Sequence, residues 1–427
     1  MAFDFSSADF YNPEAFAKET ARIFDICNGC RLCFNLCPSF DSLFKRIDEL
    51  DGDLEKLSDA DTKKVVDLCY DCKLCFPKCP YTPPHHYMLD FPRLMLRGKA
   101  VEAKKRGVPL RDRLLSNTDL LGKISTTFAS LVNWTMTLTL FRILMEMTVG
   151  IHRDRNLPGY SRKTFVSWYR QHEKHISRGR VSEERGAPKV VLFHTCSVNY
   201  NDVETGKAAI QVLEKNGVEV EVPTQKCCGM PYLDAGDIDG ARKNADFNVN
   251  RLVEYIRKGY DIVSPGPSCS YMMKHEYPLL SPNPDAKLVA THTYDLMEYL
   301  AKLNKEGRLA KDFLRPQGEI TYHLPCHLKA QNIGFKSRDV MELIPDTKVR
   351  VVAKCSGHDG TWSLKKQNFK MSLEVGKPLF DEFKDGTAAV SDCPLAQLQI
   401  EKGSGKRPRH PIQILSDAYG FEKDPVN

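Results

Sequence analysis

In the second half of the chain the apolar residues come in short runs at the spacing of strands, and the whole set occurs twice. Residues 189–195 (KVVLFHT) make an apolar run ending at Cys196, 218–222 (VEVEV) alternate and lead to Cys227, and 261–263 (DIV) lead to Cys269. The second copy keeps the order: 319–325 (EITYHLP) end at Cys326, 348–352 (KVRVV) lead to Cys355, and 388–390 (AAV) lead to Cys393. Even the tails agree, with His292 before a leucine-rich helix in one copy and His410 in the other. Helical stretches separate the strands. Residues 202–216 stop at Gly217, and 241–258 put Ala245, Val249, Leu252 and Ile256 on one face. Strands alternating with helices predict two small α/β units with parallel sheets, whose ligands gather beyond the carboxyl ends of the strands. Every cysteine of this half falls at such an end.

The first half is patterned differently. Residues 39–67 form a polar insert carrying Asp48, Glu49, Asp51, Asp53 and Glu55, read as a solvated face with a helix leading into 63–68. The prolines of 81–86 (YTPPHH) force an extended path, so His85 and His86 read as exposed loop histidines rather than ligands. Residues 91–113 turn basic, which suits a solvated helix or a docking face for an acidic partner or a membrane surface. Residues 124–141 carry no charge, but eight of the eighteen are Ser, Thr or Asn, which argues against a transmembrane helix and for an interfacial helical hairpin, with a peripheral membrane foot as the sharper reading. Residues 153–185 read as an exposed connection.

Charge adds little, with 61 basic against 55 acidic residues and a net +6 among 427, and no stacking-aromatic or zinc-finger pattern suggests nucleic acid. The N-terminal residues show neither a basic stretch nor an apolar core of a signal peptide, so a cytoplasmic location is expected. Fifteen cysteines in such a chain point to metal or redox thiols.

Eight of them stand in two runs, Cys27, Cys30, Cys33, Cys37-Pro38 and Cys69, Cys72, Cys75, Cys79-Pro80. This is the spacing of ferredoxins with two 4Fe-4S clusters, in which the fourth cysteine of each run ligates the other run's cluster. One cluster is thus expected on Cys27, Cys30, Cys33 and Cys79, the other on Cys69, Cys72, Cys75 and Cys37. Zinc would leave half of these thiols unexplained.

The first repeat then gathers Cys196, Cys227, Cys228 and Cys269, enough for a third cluster, with Gly229 expected to let backbone approach it. The second offers only Cys326, Cys355 and Cys393, with Ser356 in the place of the paired cysteine. A three-iron cluster, a cubane completed by a histidine or hydroxyl, or no cluster would each fit, and His323, His327 and His358 are the candidate histidines. No G-x-G-x-x-G follows a strand and no phosphate loop or Ser-His-Asp signature occurs, so substrate chemistry is expected to belong to a partner.

The paired cysteine runs, Cys227-Cys228-Gly229, Gly266-Pro-Ser-Cys269, His323-Leu-Pro-Cys326-His327, Cys355-Ser-Gly357 and Ser391-Asp-Cys393-Pro394 together resemble the iron-sulfur oxidoreductases with duplicated cysteine-rich domains. That family takes in the C subunit of anaerobic glycerol-3-phosphate dehydrogenase, the iron-sulfur subunit of glycolate oxidase and the B and D subunits of heterodisulfide reductase. The resemblance implies an electron-transfer subunit working between a flavin dehydrogenase, or a rubrerythrin- or ferredoxin-like partner, and quinone or another acceptor. It also implies an alternative, reduction of a disulfide at the Cys196, Cys227, Cys228 and Cys269 site, although Met272 and Ala396 stand where that branch has its last cysteines. The expected architecture is mixed α+β and α/β: a helical two-cluster ferredoxin-type domain (1–112), a helical interfacial linker (113–186) and two cysteine-rich α/β domains (187–310 and 311–427).

Overall fold

The computed structural model describes residues 4–176 and 186–421; the last part of the expected connection, 177–185, lies outside the described residues. Every strand expected from the pattern forms. β1 (Lys189–Leu192), β2 (Glu219–Glu221), β3 (Asp261–Ser264) and β4 (Thr293–Asp295) build one parallel sheet in the order β2-β1-β3-β4. β5 (Gly318–His323), β6 (Thr347–Val352) and β7 (Ala388–Ser391) build a second, ordered β6-β5-β7. In both sheets the first strand lies between the second and third, so the duplication is one of topology as well as sequence. Register pairs Val191 with Ile262 in one sheet and Tyr322 with Val390 in the other. Only β4 escapes the sequence pattern, because its residues Thr293, Tyr294 and Asp295 form no apolar run and lead to no cysteine.

The two repeats share one core. Ile210 and Leu213 of the first, on the helix Val203–Lys215, pack in the same cluster as Val340, Met341, Ile412 and Leu415 of the second. Each such fully buried aliphatic chain stabilises the fold by about 1.5–3 kcal/mol. The expected division near residue 310 therefore marks the end of a repeat and not a break in packing.

The N-terminal unit is helical. Its core of Ile23, Phe24, Phe40, Leu43, Phe44, Ile47 and Leu94 comes from helices Pro13–Cys30, Pro38–Glu49 and Phe91–Arg106. The acidic insert is helical over Asp59–Leu68, earlier than its apolar residues indicate, because Ser58 and Asp61 cap each other's backbone.

The basic stretch 91–113 departs from the solvated face expected of it. The helix Phe91–Arg106 buries Leu94, Met95, Leu96 and Ala100 together with Arg97, which donates from Nε to the Phe10 carbonyl and from Nη2 to that of Asp9. Arg93 reaches Asp90 at 2.9 Å and Glu276 at 3.5 Å, while Lys73 reaches Asp71 at 2.8 Å and Glu276 at 3.7 Å. Glu276 is fully buried, so these cations act as internal counter-charges between the N-terminal unit and the first repeat.

Residues 118–148 form three short helices, Thr118–Thr127, Ala129–Thr135 and Thr139–Thr148, in place of a hairpin. Their inner faces are held down: Gly122 lies so close to the Tyr200 ring that a Cβ would come within 2.2 Å, and the Asn133 amide bonds both the N–H and the carbonyl of Tyr160. Their outer faces leave Ile124, Phe128, Leu131, Trp134, Leu140, Leu144 and Met147 exposed. Among the described residues no helix is long and apolar enough to cross a membrane.

Candidate metal centres

All fifteen cysteines are free. The turn residues of both N-terminal runs adopt left-handed backbone: Arg31 has φ 51°, Asp71 57° and Lys73 63°. Each reverses the chain inside a run, so that sulfurs three residues apart converge. Burial first, and then the neighbouring Cys79, Cys33 and Cys30, push the Cys27 thiol well up. These four line one cavity, roofed by Ile26, Phe40 and Leu89. Cys75 is raised by burial and by Cys72, Cys69 and Cys37, and Cys37 is pushed up to about 12 by burial and Cys69. Each run's fourth cysteine thus lies with the other run's first three. The backbone N–H groups of Ser39 and Phe40, at the start of the helix Pro38–Glu49, face the Cys37 sulfur and favour its thiolate.

Four converging, largely part-buried thiols make a donor set suited to a multinuclear cation, which binds thiolates and displaces their protons. His85 and His86 line neither cysteine cavity, and their rings lie tilted against each other in a loop with centroids 4.2 Å apart.

The first repeat brings Cys196, Cys227, Cys228 and Cys269 together at the ends of β1, β2 and β3. Their sulfurs are hydrogen bonded in sequence, and Cys227 is held well below the usual thiol range because Cys196 and Cys228 both donate to it. Thr118 Oγ1 is buried and directed at the Cys196 and Cys227 sulfurs, where it favours their thiolates. A hydroxyl that favours thiolates within a set of four converging sulfurs suits a bound cationic group. Asp119 Oδ2 accepts the Cys227 N–H at 2.8 Å, which fixes the loop. Gly229 has a φ of +96°, and a Cβ would meet Ala241 O at 3.2 Å and Met272 Cε at 3.5 Å, so the helix Ile238–Ile256 behind the loop makes its own demand for glycine.

In the second repeat Cys326, Cys355 and Cys393 line one cavity together with Tyr70, Cys72 and Asp359. Gly357 repeats the role of Gly229: its φ is +68° and a Cβ would fall 2.0 Å from Ser372 O. His323 Nδ1 bonds Ser391 Oγ at 2.9 Å, and its ring donates a further bond to the Lys354 backbone carbonyl. His327 Nδ1 bonds Ser268 Oγ at 2.8 Å and Nε2 approaches Asp71 O at 3.4 Å. His358 Nδ1 bonds Ser363 Oγ at 2.7 Å, while its Nε2 is unpartnered. Ser356 turns its hydroxyl to the His358 carbonyl.

The sites are neighbours. Tyr70 Oη lies 3.4 Å from Cys355 Sγ, and Cys72 and Cys326 act on each other's charge. The helix Pro267–Tyr271, which carries Cys269, packs on the helix Cys326–Gln331 through Ser268 and His327, with the Tyr271 and His327 rings stacked at 5.2 Å. Sequence reasoning misses Tyr70, Thr118, Asp119 and Asp359. Tyr70 carries a usable signal, adjacency to Cys69 in a cysteine run. Thr118 and Asp119 lie far along the chain from any cysteine and only the fold brings them in.

Comparison with known proteins agrees with this arrangement. Residues 20–105 match the Citrate utilization protein B Fer4-like domain, and residues 190–274 and 320–401 each match the Cysteine-rich domain family. The C subunit of anaerobic glycerol-3-phosphate dehydrogenase of Escherichia coli is 32% identical over 315 residues, covering 72% of this chain and 77% of the relative. The B subunit of fumarate reductase (CoM/CoB) of Methanothermobacter marburgensis is 26% identical over 57% of the chain and 48% of the relative, and Lactate utilization protein A of Bacillus cytotoxicus 31% identical over 42% and 75%. With its Fer4-like unit, its two cysteine-rich repeats and this extent of likeness, the chain belongs to the iron-sulfur oxidoreductase family that includes the C subunit of anaerobic glycerol-3-phosphate dehydrogenase.

Proposed function

We propose that the protein is an electron-transfer subunit that takes electrons from a partner oxidoreductase, a flavin dehydrogenase or a rubrerythrin- or ferredoxin-like protein, and passes them to quinone at a membrane surface. Cys27, Cys30, Cys33 and Cys79 would hold one 4Fe-4S cluster, Cys69, Cys72, Cys75 and Cys37 a second, and Cys196, Cys227, Cys228 and Cys269 a third iron-sulfur group. Bound iron-sulfur groups supply one-electron carriers. The observation that carries the reading is the continuity of the thiol sites, from the N-terminal runs through Tyr70 and Cys355 to Cys326, across Ser268 and His327 to Cys269, and so to Thr118.

Thr118 begins the exposed apolar helices, so the first repeat's thiols lie directly beneath them. Over residues 114–141 Lys123 is the one fully exposed charge. A surface of leucines, Phe128 and Trp134 with a lone cation suits the lipid interface, where it would bring the first repeat to a quinone dissolved in the bilayer. Disulfide reduction is the weaker reading, since Met272 is buried against Gly229 and leaves that site with four thiols.

The test is anaerobic purification with iron and acid-labile sulfide counted per chain, then stopped-flow oxidation of the reduced protein by a ubiquinone or menaquinone analogue in lipid vesicles. About twelve or more irons and rapid quinone-dependent oxidation support the proposal. About eight irons, or oxidation indifferent to quinone, would sink it.

A further inference from the structure

The second repeat lacks a paired cysteine, yet its three cysteines still line one cavity together with Cys72 of the adjoining run. The side chains around it narrow the choice of a further donor. His323 and His327 have both ring nitrogens engaged, and Ser356 donates to a carbonyl of its own loop. His358 keeps a free Nε2, but the Arg155 guanidinium acts directly on its ring, a poor setting for a second cation.

Asp359 differs from all of these. It lines the cavity, is buried, and its Oδ2 lies 3.7 Å from Cys326 Sγ. Its charge also acts on Cys393 and on Cys72 of the adjoining N-terminal run. Cys326, His327 and Asp359 are the one group of three metal-ligating side chains among the described residues whose donor atoms all lie within 4.8 Å of one another. His327 enters that group with its nitrogens already used, and its Nε2 stands 4.0 Å from the Asp359 carboxylate, where it can steady it.

We propose that Asp359 is the fourth protein ligand of an iron-sulfur group held by Cys326, Cys355 and Cys393. This rests on the reading that the duplicated half carries redox-active iron. The first repeat has its extra donor, Cys228, immediately before the glycine of the loop; the second has Ser356 there and places the donor two residues after Gly357. Three thiolates and one carboxylate carry the same formal charge as four thiolates, so the iron is neutralised equally. A carboxylate is the harder ligand, and the iron it holds is more open to exchange.

The test uses the anaerobically purified full chain, with iron per chain, Mössbauer spectra and low-temperature EPR compared among Asp359→Ala, Asp359→Cys, His358→Ala and Cys355→Ala. Asp359→Ala should lose about one to four irons per chain with the N-terminal signals intact. Asp359→Cys, which restores a fourth thiolate, should keep its iron while one iron site shifts toward an all-sulfur Mössbauer signature. Iron and spectra unchanged in Asp359→Ala, with iron lost in Cys355→Ala or His358→Ala, would overturn the ligand assignment alone. Iron unchanged in Cys355→Ala as well would overturn the reading beneath it, that this repeat carries iron.

Discussion

The Tyr70 phenol lies 3.4 Å from the Cys355 sulfur, joining residues 285 positions apart and belonging to different units of the chain. With metal bound the sulfur is a thiolate, so the phenol donates. Hydrogen bonds to cluster sulfurs stabilise the reduced form. Tyr70→Phe should therefore lower the potential of the second repeat's site, by on the order of 40 mV for a bond of about 1 kcal/mol. Potentiometric EPR titration reads this directly, and an unmoved potential would mean that the contact does not tune the site.

Replacing Leu131, Trp134 and Leu140 together by Glu should abolish flotation with vesicles while leaving iron content unchanged. These side chains are exposed and make no core contact, so stability should stay within about 0.5 kcal/mol per position. Vesicle binding that survives the triple change would remove the membrane foot from the proposal.

Asp119→Ala should weaken the first repeat's site without touching a thiol. The change strands the Cys227 N–H, at a cost of about 1–3 kcal/mol. Release of iron to a chelator, followed by the loss of absorbance, should accelerate, while Asp119→Asn should largely restore the rate because its amide oxygen can still accept.

His410 gives the fold a dependence on acid. Its Nε2–H donates to Pro265 O at 3.1 Å and its Nδ1 accepts the Ile412 N–H, and burial pushes its protonation down to about 3 from an ordinary 6.5. Between those values the unfolded chain takes up a proton that the folded chain refuses, so stability falls as pH drops below 6.5. His410→Gln should flatten that fall between pH 6.5 and 5 in thermal unfolding of the holoprotein; an identical slope in both proteins would show that other groups carry the acid sensitivity.

The strands are legible in the sequence because their apolar runs are short and end at cysteines, and the cysteine spacing carries the pairing of the N-terminal sets. Helix 91–106 reads wrongly because its six cations look solvated along a sequence, whereas Arg93 and Arg97 are satisfied by groups remote in the chain. Gly229 stands out as a glycine that must stay one, but for a neighbour, Ala241, that no local pattern names. Asp359 escapes notice because a lone acid beside a loop glycine looks like surface, and only the fold buries it against Cys326.

Glu276 belongs to the first repeat, and both cations that balance it, Lys73 and Arg93, belong to the N-terminal unit. Assembled from what look like interchangeable cassettes, the chain has thereby become indivisible. A recombination that parted the halves would strand a buried charge at a cost of roughly 3–5 kcal/mol, comparable with the whole stability margin of a small domain. The shared charge thus makes the two halves a single unit of folding.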